Sequence, residues 1–435
     1  MEFPNIPKGT RDFSSIEMSK RNYLIQVIRE KFELFGFYPI ETPSFENIST
    51  LVGKYGEEGD YLMFKLLHSG NVLKKLSNKA LRYDLTVPFV RYVVMHKNEI
   101  VFPFKRYQIQ PVWRADKPQK GRFREFYQCD ADIVSSYGSL WEEIELIQLC
   151  DEIFTKLNFP IIIYINHRDI LGGLVEISGI KNNLWKDFTT SLDKWNKIGR
   201  DLVKKEMLRK GISSQSFEKI AFFFDMKENF SKKEKHLTVA FQYSKKGKKG
   251  IKDLSFIYKN IRRISLQNTK LEWNISLARG MNYYTGTILE IVPFHNLISI
   301  GGGGRYDQLA NLFGMKNVSG VGVSLGLDRI YLAMEKKNLF QTIPSKVLFI
   351  NFGDEEVLYA YKMINFLRKK GISTQLYPHT VKIGKQFRYA NDNNIPFTIS
   401  IGKNEIKRNK IRVKNLKERT EKEYDNINDI VNQLI

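Results

Sequence analysis

The chain of 435 residues is long enough for two or three domains and carries 69 Lys and Arg against 47 Asp and Glu, a formal charge of +22. An excess of this size is the electrostatic footprint of a polyanion partner, and a genome-wide coding bias toward lysine is the other source of it. The two cysteines, Cys129 and Cys150, exclude a disulfide scaffold and a cysteine-rich zinc site, and both read as small core residues.

Along the chain, the first residues, MEFPNIPKGTRDF, lack an apolar signal core, and no run reaches the roughly eighteen apolar residues of a membrane span, so a cytoplasmic protein is expected. Ser15 to Phe35 reads as an amphipathic helix, with Ile16, Tyr23, Val27, Phe32 and Phe35 near helical spacing and Gly36 as its stop. Leu81 to Met95 begins with alternation and turns continuously apolar after Pro88, as a strand entering a helix does. Lys105 to Arg114 and Arg122 to Ile133 read as an antiparallel hairpin, and Trp141 to Leu157 as a helix. Apolar runs at Ile161 to Ile165, Trp273 to Ala278, Thr287 to Val292 and Val321 to Leu325 complete an antiparallel sheet with flanking helices. Between Asp169 and Thr269 the pattern turns helical with lysine clusters, SKKEK and KKGKKG, and reads as an inserted domain whose lysines either meet RNA phosphates or form a solvated surface. After the polar connector Lys336 to Ser345, strands and helices alternate from VLFINF to PFTISIG and end in the helix INDIVNQLI, a small α/β domain. No period of twenty to fifty residues repeats, which excludes a solenoid.

The hairpin segment VWRADKPQKGRFREFYQCDADI, Val112 to Ile133, is chemically the richest. Alternation puts Arg122, Arg124, Phe126, Gln128, Asp130 and Asp132 on one face, and Phe123, Tyr127, Cys129, Ala131 and Ile133 on the other. The first face runs from cations to carboxylates. Arginine forks suit phosphate and Phe126 suits a base, although a solvated face with ordinary cross-strand charge pairs shows the same alternation. The run Gly301 to Gly304 lacks the spacing of a phosphate-binding loop and fits close backbone approach to a ligand instead. The six histidines show no metal-binding spacing, so no structural metal is expected.

With this segment go LARGMNYYTG at Leu277 to Gly286, GGGGRYDQL at Gly301 to Leu309, GVGVSLGLDRI at Gly320 to Ile330, PKGTRDF near the start, and FGFYPIETPSFE with its Pro43. Together, and in this order, they resemble the motifs of class II aminoacyl-tRNA synthetases in the form carried by the histidyl-tRNA synthetase family. The resemblance runs from about Pro7 into the C-terminal region. It implies an α+β catalytic domain on an antiparallel sheet, built from residues 1–168 and 270–335, with an inserted helical domain at 169–269 and a C-terminal α/β anticodon-binding domain at 345–435. It further implies ATP-dependent ligation of L-histidine to its cognate tRNA through a histidyl-adenylate, with AMP and diphosphate released. ATP with its Mg2+ is the implied cofactor. The implied partners are RNA and a second copy of the chain, docked through the helix Ser15 to Phe35, and not DNA or a membrane.

By the same resemblance, Arg114 and Arg279 are the catalytic cations at the α-phosphate, and Asp116, Arg122, Phe126 and Arg329 complete the ATP site. Asp84, Thr86 and Gln128 meet the α-amino group of histidine, and Asp132 accepts from the imidazole with Tyr284 as its partner. Arg279, Tyr283 and Tyr306 also face the amino acid, and Lys117 and Gln119 face the tRNA acceptor end. Asp84 and Asp132 depart from the commoner Glu of the family. A catalytically silent relative, the regulatory subunit of ATP phosphoribosyltransferase, is the nearest alternative. It predicts a degraded LARGMNYYTG segment and no C-terminal domain.

Overall fold

Two-residue alternation of core and polar side chains along Glu125–Ser135 builds the centre of the molecule, because each such strand can bury one face and offer the other to a ligand. A computed structural model describes residues 4–67, 76–279, 283–295, 298–340 and 346–434. They form two units, Met1–Leu339 and Phe340–Ile435. The first contains an eight-stranded sheet, whose strands we number β1 Tyr38–Pro39, β2 Phe104–Trp113, β3 Glu125–Ser135, β4 Ile161–His167, β5 Thr269–Trp273, β6 Thr287–Pro293, β7 Gly301–Arg305 and β8 Ser319–Gly326. Their order in space is β1-β2-β3-β8-β7-β6-β4-β5. The outermost pairs, β1 with β2 and β4 with β5, are parallel. All other pairs are antiparallel.

The helix Ser15–Leu34 starts at a capping box in which Ser14 and Glu17 satisfy each other's backbone N–H groups. Its buried stripe is Leu24, Val27, Ile28 and Phe32, while Ile16 stays largely exposed. This helix packs on Leu140–Lys156 and Leu327–Lys336, and the last of these also packs on β3. On that side Cys129, Ala131 and Ile133 are buried. Burial pushes the Cys150 thiol up to about 12 and that of Cys129 well above its usual range, as befits core residues. Arg305, at the end of β7, anchors the sheet to helix Leu140–Lys156 by a two-pronged contact with Glu143, at 2.7 and 2.5 Å.

Three sequence expectations need correction. The hairpin strands end at Trp113 and begin again at Glu125, so Arg122 and Arg124 lie in the connection, which closes through a bridge between Gln119 and Arg122. Arg124 turns away from the polar face and donates to the Lys8 and Asp116 carbonyls, each at 3.2 Å. The run Trp273 to Ala278 stops being a strand at Trp273, because the Asn274 side chain accepts the Ser276 N–H at 3.1 Å and turns the chain. In the C-terminal unit, sequence alternation ended too early. The five-stranded sheet runs Ser373–Leu376, Lys346–Phe349, Phe397–Ser400, Ile411–Asn415, Thr420–Tyr424, the last two forming an antiparallel hairpin. Thr420–Tyr424 is almost wholly solvent-facing and carries no apolar alternation, which hid it.

Between β4 and β5 the chain forms six α-helices, from Arg168–Ser178 to Lys245–Ile264, within the same unit as the sheet. The KKGKKG run begins the last of them. Its glycines, Gly247 and Gly250, face inward, where a Cβ would strike the Phe241 ring or meet Ile170 at 2.9 to 3.1 Å, and its lysines face solvent. The spacing of that run thus encodes helix packing as well as surface charge.

Glu143 is wholly buried, so its charge depends on Arg305. Arg305→Met should therefore destabilise the first unit by about 3–5 kcal/mol, the range for stripping one partner from a buried ion pair. Urea unfolding followed by tryptophan fluorescence measures it, and an unchanged midpoint would show that water or another cation takes over.

Candidate active site

The register of β2, β3 and β8 lays the polar residues of the sheet in rows. Arg106, Gln108 and Gln110 on β2 stand directly opposite Asp132, Asp130 and Gln128 on β3. Those three in turn stand opposite Gly322, Ser324 and Gly326 on β8. Directly opposed residues share a face, and the β3 and β8 rows form the floor of a cavity, with Arg106 and Gln108 of β2 buried beside them. A Cβ at Gly322 would overlap the Asp132 carboxyl, so the glycine is what makes room for it.

One end of the cavity is acidic. Asp132 is 2% exposed, pairs with Arg106 at 2.9 Å and accepts the Tyr306 hydroxyl at 2.5 Å. The Tyr306 hydroxyl is its bonded partner, and Tyr284, expected to join Asp132 at the imidazole, lines the same cavity with its ring packed on Tyr283, centroids 4.9 Å apart, and against Gly304. Asp84 accepts from the Tyr55 hydroxyl at 2.9 Å, the Tyr283 hydroxyl at 3.3 Å and the Val87 N–H at 3.1 Å. Burial raises the titration of Asp84 and Asp132, and Arg106 opposes the shift at Asp132. The Gln128 amide donates to Ser324 at 2.6 Å.

The other end is cationic. Arg114 donates to the Tyr83 carbonyl at 3.0 Å, with its guanidinium 4.3 Å from the Tyr83 ring and 5.2 Å from the Phe126 ring. Arg329 donates to the Gly121 carbonyl at 3.1 Å and the Ser299 carbonyl at 2.8 Å. Its proton is held less tightly than usual, first by burial and then by repulsion from Arg122, Arg114 and Arg279, with Asp116 the opposing carboxylate. Four guanidiniums thus converge on one wall. Arg122 and Asp116 approach only to 3.8 Å, which leaves net positive charge for an anion. Arg279 occupies a left-handed backbone conformation, φ 53°, uncommon for a side chain of its size. Its guanidinium lies over Gly302, where a Cβ would collide with it. Arg168 secures the segment from both sides, its side chain donating to the Ala278 carbonyl at 3.2 Å and its backbone N–H to the Gly286 carbonyl at 2.9 Å.

A cavity with a carboxylate floor at one end and four arginines at the other suits a cationic or N–H-bearing small molecule laid beside a polyphosphate. The family model described as histidyl-tRNA synthetase matches residues 9–330 of the chain. The chain belongs to the histidyl-tRNA synthetase family. A second model, described as an anticodon-binding domain, matches residues 346–435, the module that the silent regulatory relative would lack. Among curated relatives, the histidine–tRNA ligase of Christiangramia forsetii is 52% identical over 437 residues, covering 95% of each chain. That of Porphyromonas gingivalis is 48% identical, covering 96% of each. The crystal structure of histidyl-tRNA synthetase from Nostoc sp. PCC 7120 is 30% identical and superposes over 100% of both chains with a TM-score of 0.86. The enzyme ligates L-histidine to its tRNA with ATP, through a histidyl-adenylate.

Every residue expected from the sequence to hold histidine or ATP lines this cavity: Asp84, Thr86, Gln128, Asp132, Tyr283, Tyr284 and Tyr306 with Arg114, Asp116, Arg122, Phe126, Arg279 and Arg329. Lys117 and Gln119 do not; both are exposed in the hairpin connection. Met281 and Asn282 of the LARGMNYYTG segment lie outside the described residues. Sequence reasoning missed Arg106 and Asp130 as site residues, and it missed Arg11 and Arg21, which clamp Asp328 beside Arg329. The i, i+2 repeat from Gln128 to Asp132 held the signal for Asp130. Nothing local to the KRYQIQ stretch marks Arg106, whose role follows from cross-strand register. Among the described residues, no group of three or more His, Cys, Asp or Glu side chains is placed to hold a metal ion.

Gly302→Ala should push the Arg279 guanidinium out of place and slow histidine-dependent ATP–pyrophosphate exchange by about 100-fold, the scale of a misplacement near 1 Å at a reacting centre. A wild-type exchange rate, in a variant shown to be folded by circular dichroism, would contradict this.

Proposed function

We propose that the acidic end of the cavity reads histidine and the four-arginine end holds ATP, so that the histidine carboxylate lies against the α-phosphorus at the junction. The observation that carries this reading is the single cavity with opposite charge at its two ends. Asp84, with Thr86 and Gln128, takes the α-ammonium, and Asp132 accepts an imidazole N–H, with Tyr306 fixing its carboxyl. Tyr283 and Tyr284 wall the amino acid. The carboxylate oxygen of histidine forms a bond to the α-phosphorus as the bond to diphosphate breaks. Arg114 and Arg279 neutralise the charge that builds on the α-phosphate, which is what such a transfer needs in place of a protein nucleophile. Phe126 stacks on the base, and Arg122 and Arg329 hold the distal phosphates. The terminal ribose hydroxyl of tRNA then attacks the activated carbonyl and releases AMP.

Bound with ATP, Mg2+ would offset the charge of its phosphates. Asp116, the carboxylate at the arginine end, is the protein group suited to meet it. Lys117 and Gln119 face the tRNA acceptor end from their exposed connection, and the helical insertion of residues 169–269 supports that arm. Residues 346–435, with 17 Lys and Arg against 10 Asp and Glu, hold the anticodon arm through salt-sensitive phosphate contacts. The enzyme works in the cytoplasm, where its tRNA is, as a homodimer joined near the helix Ser15–Leu34, where Leu34 and the edge-strand residue Tyr38 are exposed.

Arg279→Ala should lower the single-turnover rate of adenylate formation by about two to three orders of magnitude, the cost of one preorganised charge donor, with a smaller effect on histidine binding. Rapid-quench kinetics with titrated histidine separates the two. Loss of histidine affinity at an unchanged rate would make Arg279 a binding residue instead.

A further inference from the structure

Arg168 stands at the boundary between the catalytic sheet and the helical insertion, the first residue after β4 and the first of the helix Arg168–Ser178. It is buried, and burial lowers the titration of its guanidinium to about 10, so the group stays charged at neutral pH. Among the described residues no carboxylate pairs with it, and the positive end of its own helix gives a cation no support. A buried charge in that position costs stability unless other contacts hold it.

Two contacts do. The guanidinium donates to the Ala278 carbonyl at 3.2 Å and lies 4.9 Å from the centre of the Trp185 ring. The first contact ties it to the residue before Arg279. The second ties it to the insertion, where Trp185 begins the helix Trp185–Leu192. The backbone N–H of Arg168 holds the Gly286 carbonyl at 2.9 Å, and Asn166, two residues earlier, donates to the Ile275 and Leu277 carbonyls, each at 2.9 Å. The end of β4 therefore grips the chain on both sides of Arg279, whose own backbone sits in the left-handed region at φ 53°. A conformation of that kind persists only when its surroundings impose it. The same insertion helix reaches the site from its other end, where Asp193 follows its last residue. Burial weakens the hold of Arg279 on its proton, and the carboxylates Glu290 and Asp193 are among the groups that outweigh it, so the proton is held more tightly than usual. One helix of the insertion thus acts on Arg279 twice, through the clasp at Trp185 and through the field of Asp193.

We propose that Arg168 is a positioning residue for Arg279, and that Trp185 makes the insertion part of adenylate formation, a step in which tRNA takes no part. The proposal rests on the reading of Arg279 as the cation at the α-phosphate. Packing of Trp185 on the guanidinium fixes the fork that holds Ala278. That carbonyl fixes the turn at Arg279, and the turn lays its guanidinium over Gly302. Neither Arg168 nor Trp185 lines the cavity, so loosening either one displaces the cation without removing a side chain that meets histidine or ATP.

Arg168→Met keeps the stem and the backbone N–H that holds Gly286, and loses the donor to Ala278. In rapid-quench measurements without tRNA it should form adenylate about 100-fold more slowly, the scale of a misplacement near 1 Å, with half-saturating histidine and ATP within about twofold of the unmodified enzyme. Placed in Arg279→Ala, the same change should cost less than about twofold more, because a residue that acts through Arg279 then has nothing left to aim. Losses that multiply in the double variant would overturn the proposal and make Arg168 a support of the fold at large. Trp185 is only half-buried, so its variants test the clasp even if Arg168→Met fails to fold. Trp185→Leu should slow adenylate formation about tenfold, the scale of one desolvated cation–π contact, and Trp185→Phe, which keeps a ring face, should recover most of the rate. A wild-type rate in Trp185→Leu would take the insertion out of this step and overturn the proposal as well. A wild-type rate in Arg279→Ala alone would instead sink the reading of Arg279 on which it rests.

Discussion

The contact between Arg106 and Asp132 is the constraint around which the substrate end of the cavity is arranged. Both residues are almost wholly buried, and both lie on the central strands, directly opposite in register. A buried carboxylate without its cation costs several kcal/mol, and so does the reverse, so neither can be replaced singly without loss. Their pairing fixes the Asp132 carboxyl on the floor, the Tyr306 hydroxyl fixes its rotation, and the Phe89 ring, 4.2 Å from the Arg106 guanidinium, covers the cation. Polar groups tied this firmly do not need to reorganise when the substrate arrives, which is the condition for discriminating a ring N–H from an apolar isostere.

The arginine end is ordered by different means. Its guanidiniums repel one another, and they are held by backbone carbonyls and aromatic faces: Arg114 by Tyr83, Arg329 by Gly121 and Ser299. Such contacts aim a cation without neutralising it. Glycines supply the space. Gly302 accommodates Arg279 and Gly322 accommodates Asp132, so each glycine run is the complement of a charged side chain on a neighbouring element. The N-terminal segment contributes as well, since Arg11 and Arg21 grip Asp328, whose other carboxyl oxygen accepts the Tyr127 N–H at 2.8 Å and so ties the helix bearing Arg329 to β3.

Much of this was legible in the sequence, for a physical reason. Strand alternation alone puts Phe126, Gln128, Asp130 and Asp132 on one face, and the ordered family motifs mark the arginines. The contact of Tyr306 with Asp132 was not legible, because Tyr306 arrives by way of β7 and β8, where its backbone N–H bonds to the Gly320 carbonyl at 2.7 Å. Arg124 was placed on the ligand face because the strand was extended through the tight closure at Gln119 to Arg122. Arg106 carries no local signal at all, since a charged residue in an amphipathic strand looks solvent-facing until its cross-strand neighbour is known. The C-terminal hairpin of Ile411–Asn415 and Thr420–Tyr424 escaped notice because its outer strand has no buried face to pattern.

The central claim is that the acidic floor reads the histidine ring while Arg114 and Arg279 bracket the α-phosphate. A crystal structure with histidine and a non-hydrolysable ATP analogue tests it most directly. The account predicts an imidazole N–H within about 3 Å of an Asp132 oxygen and an α-phosphate oxygen at similar distance from both guanidiniums. A ring directed away from Asp132, or an α-phosphate held by Arg122 and Arg329 instead, would contradict it.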